Sequence, residues 1–235
     1  MDLYFKRNDQ EDQQRYFYVP SDGGAFFVCN KNQASTWGYV EEYEIIEKIK
    51  NNEEKYFDFS KNMIDIGSEN GSYSILLNFN YTHCFDPNKA SCCVLGTNML
   101  MHNRVHNIEV HNIGLDTYPG ELLFDGFSCA DGNSILIDNS NLYKIKVETL
   151  DSFNLNNIGF IKIDVEGMEE RVLRGAISTI INNEYPPILF ECWDVGYCGM
   201  TYKKHESLFN FLKTFNYIIL EHWGDFETHL AIHNN

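Results

Sequence analysis

The chain has 235 residues, 43% of them hydrophobic, and its 34 acidic and 18 basic residues give a formal net charge of −16. This length and apolar content suit a single α/β domain with one good-sized core. The negative balance argues against nucleic acids and anionic membranes as partners, because both are bound mainly through lysine and arginine. It favours a neutral or cationic substrate, although such a charge can also serve solubility alone.

The cysteines and the N-terminus bear on the cellular compartment. Seven cysteines without a CxxC pair indicate neither a disulfide framework nor a zinc knuckle. Cys84 and Cys192 lie in apolar runs, where a free thiol behaves as a small hydrophobic group. The N-terminus is polar, and no run approaches the roughly 20 apolar residues that span a bilayer. We therefore expect an intracellular, reducing location, the cytoplasm, with no signal peptide and no membrane insertion.

Strand-like runs alternate with segments of helical periodicity along most of the chain, which predicts a parallel sheet covered by helices on both faces. Residues 1–40 form an aromatic-rich lead-in with turn signals at 20–24. Helices are predicted at residues 39–51, 73–79, 90–101, 168–182 and 203–215. Strands are predicted at residues 63–66, 82–85, 105–115, 158–164 and 187–192, with 217–221 and 229–232 as a closing antiparallel pair. Residues 116–147 are interpreted as a β-rich insertion between the third and fourth strands of one domain, 1–235.

The stretch from residue 158 to residue 175 is the most informative part of the chain. Its apolar run ends in Asp164 and Glu166, which Gly167 and a helical pattern follow. A buried parallel strand of this kind delivers its acids to the carboxyl edge of the sheet, where open α/β sheets bind ligands. Lys162 alternates onto the same face as both acids. Because an unpaired buried ammonium is costly, we predict an ion pair of Lys162 with Asp164 or Asp65.

The first predicted strand runs into a turn that contains two glycines. Gly67 and Gly71 stand where a Cβ would obstruct a tight turn or the close approach of a ligand. The N–H groups at the start of the following helix lack partners within that helix. The GxGxxG fingerprint of dinucleotide enzymes is missing from this turn, so NAD is disfavoured. Asp86 ends the second strand at the spacing typical of a ribose-binding carboxylate, with a helix N-cap as the alternative role.

These motifs resemble those of the FkbM-type methyltransferases, enzymes that use S-adenosylmethionine to methylate hydroxyl groups, often on sugars. The resemblance covers residues 37–222. It is carried by Trp37, Ile113-Gly114-Leu115, Thr149-Leu150-Asp151, Lys162, Asp164, Glu166, Gly167, Glu169, Leu173, Gly175-Ala176 and Ile188-Leu189-Phe190-Glu191. The chain departs from the family in Ser68 and Glu69, where a small apolar residue and Asn are usual, and in Asp86, where Glu is commoner. Glu69 could alter how the charged methionine end of the cofactor is held.

The resemblance implies a fold, a cofactor and a cofactor site. The fold is the class I methyltransferase Rossmann-like α/β fold, a mostly parallel seven-stranded sheet with helices on both faces and an antiparallel last strand. The cofactor is S-adenosyl-L-methionine. The residues expected to bind it are Asp65, Gly67, Ser68, Asn70, Gly71, Tyr73, Asp86 and Pro87.

Four residues are candidates for catalysis. Asp164 ends the fourth strand and Glu191 ends the fifth, so the two acids can bind sugar hydroxyls, share a proton or hold a divalent cation such as Mg or Mn. Glu166 is a candidate for substrate binding or catalysis, or else caps the following helix. His222 follows the sixth strand and suits proton abstraction near neutral pH, although a lone histidine is more often structural. His102, His106 and His111 are expected to be surface or packing residues.

The leading functional hypothesis is O-methylation of a sugar, a glycan or a similar small neutral acceptor. One alternative is RNA ribose 2′-O-methylation, which the acidic balance and the lack of a basic, aromatic-interleaved groove disfavour. Another is a non-catalytic binding module with a methyltransferase fold. We expect a small-molecule or glycan acceptor and no nucleic acid partner.

Overall fold

The structure, a computed structural model, describes residues 17–20, 26–29, 38–124, 143–192, 203–223 and 228–234. Its strands are β1 (Phe17–Pro20), β2 (Phe26–Cys29), β3 (Asn62–Ile66), β4 (Tyr81–Phe85), β5 (Ile108–His111), β6 (Gly114–Leu115), β7 (Gly120–Phe124), β8 (Tyr143–Glu148), β9 (Ile158–Ile163), β10 (Ile188–Glu191), β11 (Tyr217–Leu220) and β12 (Thr228–His233). Its α-helices are α1 (Gly38–Lys50), α2 (Glu53–Tyr56), α3 (Ser72–Leu76), α4 (Lys89–Met101), α5 (Glu169–Arg174), α6 (Ile177–Asn182) and α7 (Lys203–Thr214). A 3-10 turn spans Leu150–Phe153.

Seven strands form the central sheet in the order β11-β12-β10-β9-β3-β4-β5. The pairings from β10 through β9, β3 and β4 to β5 are parallel, and β12 is antiparallel to both of its neighbours. The prediction of a mostly parallel seven-stranded sheet with an antiparallel last strand is therefore confirmed. Because the parallel strands share one direction, their carboxyl ends meet at one edge, and the candidate site lies there.

Successive strand residues face opposite sides of the sheet, and each side has its own apolar core. On one side, the side chains of Ile46 and Ile49 from α1 pack with Met63 of β3 and Phe160 of β9. On the other side, helices α5 to α7 cover the alternate strand residues, which include Ile64. This two-sided burial explains why the parallel strands are almost continuously apolar. In the described residues, no helix combines the length and the apolar character that a membrane span requires.

Two predicted elements are interrupted in the structure. The strand predicted at 105–115 ends with β5, and β6 then leaves the central sheet to pair with β8 in a small three-stranded sheet with β7. The helix predicted to run to residue 182 is broken into α5 and α6 at Gly175. A Cβ on Gly175 would lie 2.1 Å from the carbonyl oxygen of Asp116, so glycine allows the segment after β6 to approach this helix break.

The ends of the predicted insertion are described, and its middle is not. Strands β7 and β8 are antiparallel partners within or next to residues 116–147, and residues 125–142 lie outside the described part of the chain. Trp37 and most of the turn predicted at 20–24 also lie outside it.

Candidate active site

The centre of the site is the buried ammonium group of Lys162 on β9. Its Nζ donates a hydrogen bond to the carbonyl oxygen of Gly67 at 2.8 Å and lies 3.4 Å from an Asp164 oxygen and 3.7 Å from Asp65 Oδ1. Only 6% of the Lys162 side chain is exposed, so these oxygens replace the water that the ammonium loses. The predicted ion pair is present, with both candidate carboxylates as partners.

The loop after β3 is held against the end of β9. The Asp164 N–H donates to the Ile66 carbonyl at 3.0 Å, which extends the strand pairing past β9. Gly67 has a φ of +71°, and a Cβ there would lie 1.7 Å from the Asp164 carbonyl oxygen. Only glycine fits this conformation and this close approach. Lys162 and Gly67 together fix the first loop beside Asp164.

Asp86 lies just past β4, and its carboxylate bridges two loops. It accepts hydrogen bonds from the N–H of Glu69 at 3.0 Å and from the N–H of Asn88 at 2.7 Å. Burial raises the pKa of Asp86 to about 7, and these two hydrogen bonds oppose the rise. The N-cap of α4 is Asn88, whose side chain accepts from the first backbone N–H groups of the helix. The alternative role of Asp86 as that N-cap is therefore excluded.

Four residues predicted to bind the cofactor have contacts within the protein that account for their identity. Asp65 is 1% exposed and accepts a hydrogen bond from the Ser74 hydroxyl, and burial raises its pKa against the influence of Lys162. Asn70 accepts from the Ser72 N–H at 2.9 Å. A Cβ on Gly71 would lie 2.1 Å from Leu95 of α4. Tyr73 is buried, with the Lys162 ammonium 5.2 Å from its ring centre.

The remaining loop positions have groups available for a ligand. The Ser68 hydroxyl is buried and makes no hydrogen bond within the described ranges, which is uncommon for a buried polar atom. Glu69, at a φ of +46°, projects from the same loop. Pro87 follows Asp86, and its carbonyl accepts from the Asn112 side chain at 3.0 Å.

The structure shows which of two acids, Glu166 or Glu169, caps the turn before α5. Glu169 Oε1 accepts from the N–H groups of Gly167 at 3.0 Å and Val165 at 3.3 Å, and burial raises its pKa to about 7. Glu169, and not Glu166, therefore caps the turn before α5. Glu166 has a φ of +56° and accepts no hydrogen bond from the described residues. Burial, and then the carboxylates of Asp164, Glu169 and Glu69, raise the pKa of Glu166 to about 9.

Strand register brings Asp164 and Glu191 to neighbouring strand ends. Phe190 of β10 is the partner of Ile163 on β9, so Glu191 and Asp164 are the next residues on the two strands and share one face. The Asp164 side chain is 32% exposed, which leaves it accessible to a substrate. For the predicted cation, no set of three His, Cys, Asp or Glu ligand atoms within 4.8 Å of one another includes either acid in the described chain. Register thus places the two acids side by side, and the described residues add no third ligand to them.

His222 lies at the same edge of the sheet but is separated from the acid pair. It follows β11, and β12 and β10 lie between β11 and β9. Three strand spacings of about 4.8 Å put the two strand ends about 14 Å apart. The His222 backbone N–H donates to Nδ1 of His229 at 3.2 Å. The structure therefore does not bring His222 beside Asp164.

The structural roles of two residues of this region, Glu69 and Glu169, were not predicted from the sequence. Glu69 was noted only as a departure from the family, yet its backbone ties the first loop to Asp86, and its carboxylate raises the pKa of Glu166. Glu169 was noted only as part of the resemblance. No capping-box spacing marks Glu169 in the sequence, because it is the first residue of α5 and not the third.

Comparison with known proteins identifies the family. A model of the methyltransferase FkbM domain matches residues 65–219. A crystal structure of methyltransferase FkbM from Methylobacillus flagellatus KT is 19% identical with a TM-score of 0.56, over 83% of this chain and 51% of that one. This chain thus spans about half the length of that relative.

Two further solved structures share the fold. Precorrin-6y C5,15-methyltransferase from Geobacter metallireducens GS-15 is 14% identical with a TM-score of 0.52, over 92% of this chain and 97% of that one. A putative rRNA-methylase from Clostridium thermocellum is 12% identical with a TM-score of 0.50, over 80% and 93%. No curated protein matches the chain. The neighbours establish the fold alone, and the domain match over residues 65–219 shows that the chain belongs to the FkbM methyltransferase family.

Proposed function

We propose that the protein is an S-adenosylmethionine-dependent O-methyltransferase that methylates a hydroxyl group of a sugar, a glycan or a similar small neutral acceptor. The observation that carries the proposal is the convergence of carboxylates around Lys162 at the carboxyl edge of β3, β4 and β9. Asp65, Asp86, Asp164, Glu166 and Glu169 meet there in the structure. One ammonium among so many acids leaves an excess of negative potential, which suits a ligand with cationic groups.

The residues at this edge fit the proposed cofactor. Each Asp86 oxygen accepts one backbone N–H, so each keeps a lone pair for a ribose hydroxyl. The Ser68 hydroxyl is buried and has no partner in the described residues. The Glu69 carboxylate is close enough to raise the pKa of Glu166, and two such neighbouring acids suit an ammonium group. When bound, the cofactor supplies a methyl group on a positively charged sulfur.

The acid pair suits the acceptor. A sugar hydroxyl is a poor nucleophile near neutral pH, so catalysis requires a group that takes its proton, and positioning contributes much of the rate. Asp164 is partly exposed and held by Lys162, and register places Glu191 beside it. We propose that Asp164 accepts the hydroxyl proton and that Glu191 orients the acceptor. A divalent cation at this pair is a separate prediction, tested by chelation.

The acceptor class is tested by methyl transfer from labelled S-adenosylmethionine to a panel of neutral glycans and to capped and uncapped RNA. We expect a methyl gain on a glycan hydroxyl by mass spectrometry, because the net charge of −16 disfavours a polyphosphate. Faster transfer to RNA than to any glycan would instead support the ribose methyltransferase. Cofactor binding without transfer to any acceptor would favour a binding module.

Removal of the Asp86 carboxylate should weaken the cofactor complex. Calorimetric titration of Asp86→Ala should show a loss of about 1–3 kcal/mol for S-adenosylmethionine or its demethylated product, the cost of deleting a charged hydrogen-bond acceptor. Asp58→Ala is the matched control, because Asp58 is exposed before β3 at the opposite edge of the sheet. Unchanged affinity in folded Asp86→Ala protein would contradict the ribose assignment.

Asp164→Asn keeps the shape of the side chain and removes its charge. We expect cofactor affinity to stay nearly unchanged, because Lys162 retains Gly67 and Asp65 as partners. Turnover should fall by roughly 10²-fold or more if Asp164 accepts the proton. Single-turnover assays of this variant and of Asp58→Asn separate chemistry from binding. Full activity in Asp164→Asn would refute the role, and full activity after exhaustive chelation would exclude a catalytic cation.

Glu166 should release a proton when the cofactor binds. Its pKa of about 9 keeps it protonated at pH 8, and a cationic group beside it would favour the ionised form and lower that pKa. Affinity for S-adenosylmethionine should therefore rise with pH and level off above about pH 9. Between pH 8 and pH 9 Asp86 and Glu169, with pKa values of about 7, are already ionised. The α-ammonium of the ligand also titrates at about pH 8, so the contribution of Glu166 is the difference between the wild type and Glu166→Gln.

Calorimetry at pH 8 in two buffers with different ionisation enthalpies measures this proton release directly. Glu166→Gln should abolish it and flatten the pH dependence of affinity. Glu170→Gln is the control, since Glu170 pairs with Arg174 on the outer part of α5. Equal proton release by the wild type and Glu166→Gln would overturn the assignment.

A further inference from the structure

Three potential metal ligands lie together on the two outermost parallel strands of the sheet. His83 on β4 is the register partner of Glu109 on β5, and His111 is two residues further along β5. Residues two apart in a strand face the same side, so all three side chains project from one face. β5 is the edge strand, and 50% of the Glu109 side chain is exposed. The cluster is therefore open to solvent on one side.

The two imidazoles converge on one carboxylate oxygen, Oε2 of Glu109. His83 Nδ1 lies 3.4 Å from Glu109 Oε2, and His111 Nε2 lies 3.7 Å from the same oxygen. Both nitrogens are buried and have no hydrogen-bond partner in the described part of the protein. A buried polar atom without a partner is uncommon and calls for an explanation. Two such nitrogens that face the same carboxylate fit a common ligand bound by all three side chains.

The separations between these atoms are close to those in a metal site. Zinc bonds to nitrogen and oxygen of about 2.0–2.2 Å in tetrahedral geometry place neighbouring ligand atoms about 3.3–3.5 Å apart. The three ligand atoms here lie within 4.8 Å of one another, and two of the separations are 3.4 Å and 3.7 Å.

We propose that His83, Glu109 and His111 bind one divalent transition-metal ion of the zinc class. Imidazole ligands favour such ions over Mg²⁺ and Ca²⁺, which prefer sites made of oxygen ligands. Three protein ligands leave a fourth position, which a water molecule or an external ligand can fill. This site is distinct from the acid pair at Asp164 and does not depend on the proposed methyl transfer.

Neighbouring side chains hold the ligands in place. Glu109 is near enough to Tyr81 to raise the pKa of the Tyr81 hydroxyl, and the Tyr81 ring lies 5.0 Å from the His83 ring. On the other side, Phe85 stacks on His111 at 4.5 Å, and Phe153 meets the His111 ring edge-on at 5.2 Å. Such outer contacts fix ring orientation and commonly support metal ligands.

A metal ion here would join β4 and β5 next to the proposed ribose-binding residue. The Asp86 N–H donates to the carbonyl oxygen of His111 at 3.2 Å, so the strand ends that carry Asp86 and His111 are already in contact. Binding to the folded state only would stabilise the protein by an amount that grows with the logarithm of the metal concentration above the dissociation constant. The unfolding temperature is therefore a readout that does not require catalysis.

The test uses the full chain, freed of metal by chelation and dialysis, and titrated with Zn²⁺ by calorimetry. We expect one Zn²⁺ per chain and a rise in unfolding temperature with added Zn²⁺. Glu109→Gln, which keeps the shape of an exposed side chain, and His83→Ala should each weaken binding at least about 10-fold. His106→Ala is the matched control, since His106 is exposed in the turn before β5, and it should bind Zn²⁺ like the wild type.

Substitution of Co²⁺ for Zn²⁺ identifies the ligand atoms. Nitrogen and oxygen ligation predicts visible d–d bands without a sulfur-to-cobalt charge-transfer band. A charge-transfer band that disappears in Cys93→Ser would assign the ion to an exposed thiol and overturn the proposal. Stoichiometric binding that survives in both Glu109→Gln and His83→Ala, or no binding of Zn²⁺ below millimolar concentration, would overturn it as well.

Discussion

The candidate site depends on the cost of burying the Lys162 ammonium. A buried charge without partners is penalised by several kcal/mol, so the surrounding oxygens are a condition of the fold. Asp65 and Asp164 provide two of them, and the carbonyl of Gly67 provides the third. The third can be supplied only if the loop after β3 turns sharply at glycine. The same loop then presents the Glu69 N–H to Asp86, so one buried lysine organises three strand ends.

The excess of acids around this lysine is what makes the edge suited to a cationic ligand. Glu169 accepts a hydrogen bond from the turn before α5. Asp65 accepts one from the Ser74 hydroxyl and pairs with Lys162, so both acids have structural roles. Glu166 accepts no hydrogen bond from the described residues, and burial, followed by the nearby carboxylates, raises its pKa to about 9. The fold thus separates carboxylates that complete its own hydrogen bonding from those available to a ligand.

Periodicity and the cost of buried charge predicted the sheet, its carboxyl-edge site and the partners of Lys162, because these follow from local patterns. The features that the sequence did not predict depend on contacts between segments that are distant in sequence. The break at Gly175 depends on the approach of Asp116, and Gly71 is required by Leu95 of α4. The cluster at His83 was missed because only the register of β4 against β5 brings residues from two strands together. The sequence pattern that could have identified the cluster is Glu-x-His on one predicted strand together with a histidine on the preceding strand.

The pairing of Asp65 with Lys162 also has a consequence for how the chain folds. These residues are register partners on adjacent parallel strands, and Lys162 reaches a loop 95 positions away in sequence. Apolar strands buried on both faces specify their register weakly, since a shift by one residue still buries hydrophobic side chains. The same shift would turn the ammonium of Lys162 into the opposite apolar core, away from both carboxylates. The ion pair therefore selects against misaligned β3–β9 pairing, at the step where a parallel sheet must form its slow, long-range contacts.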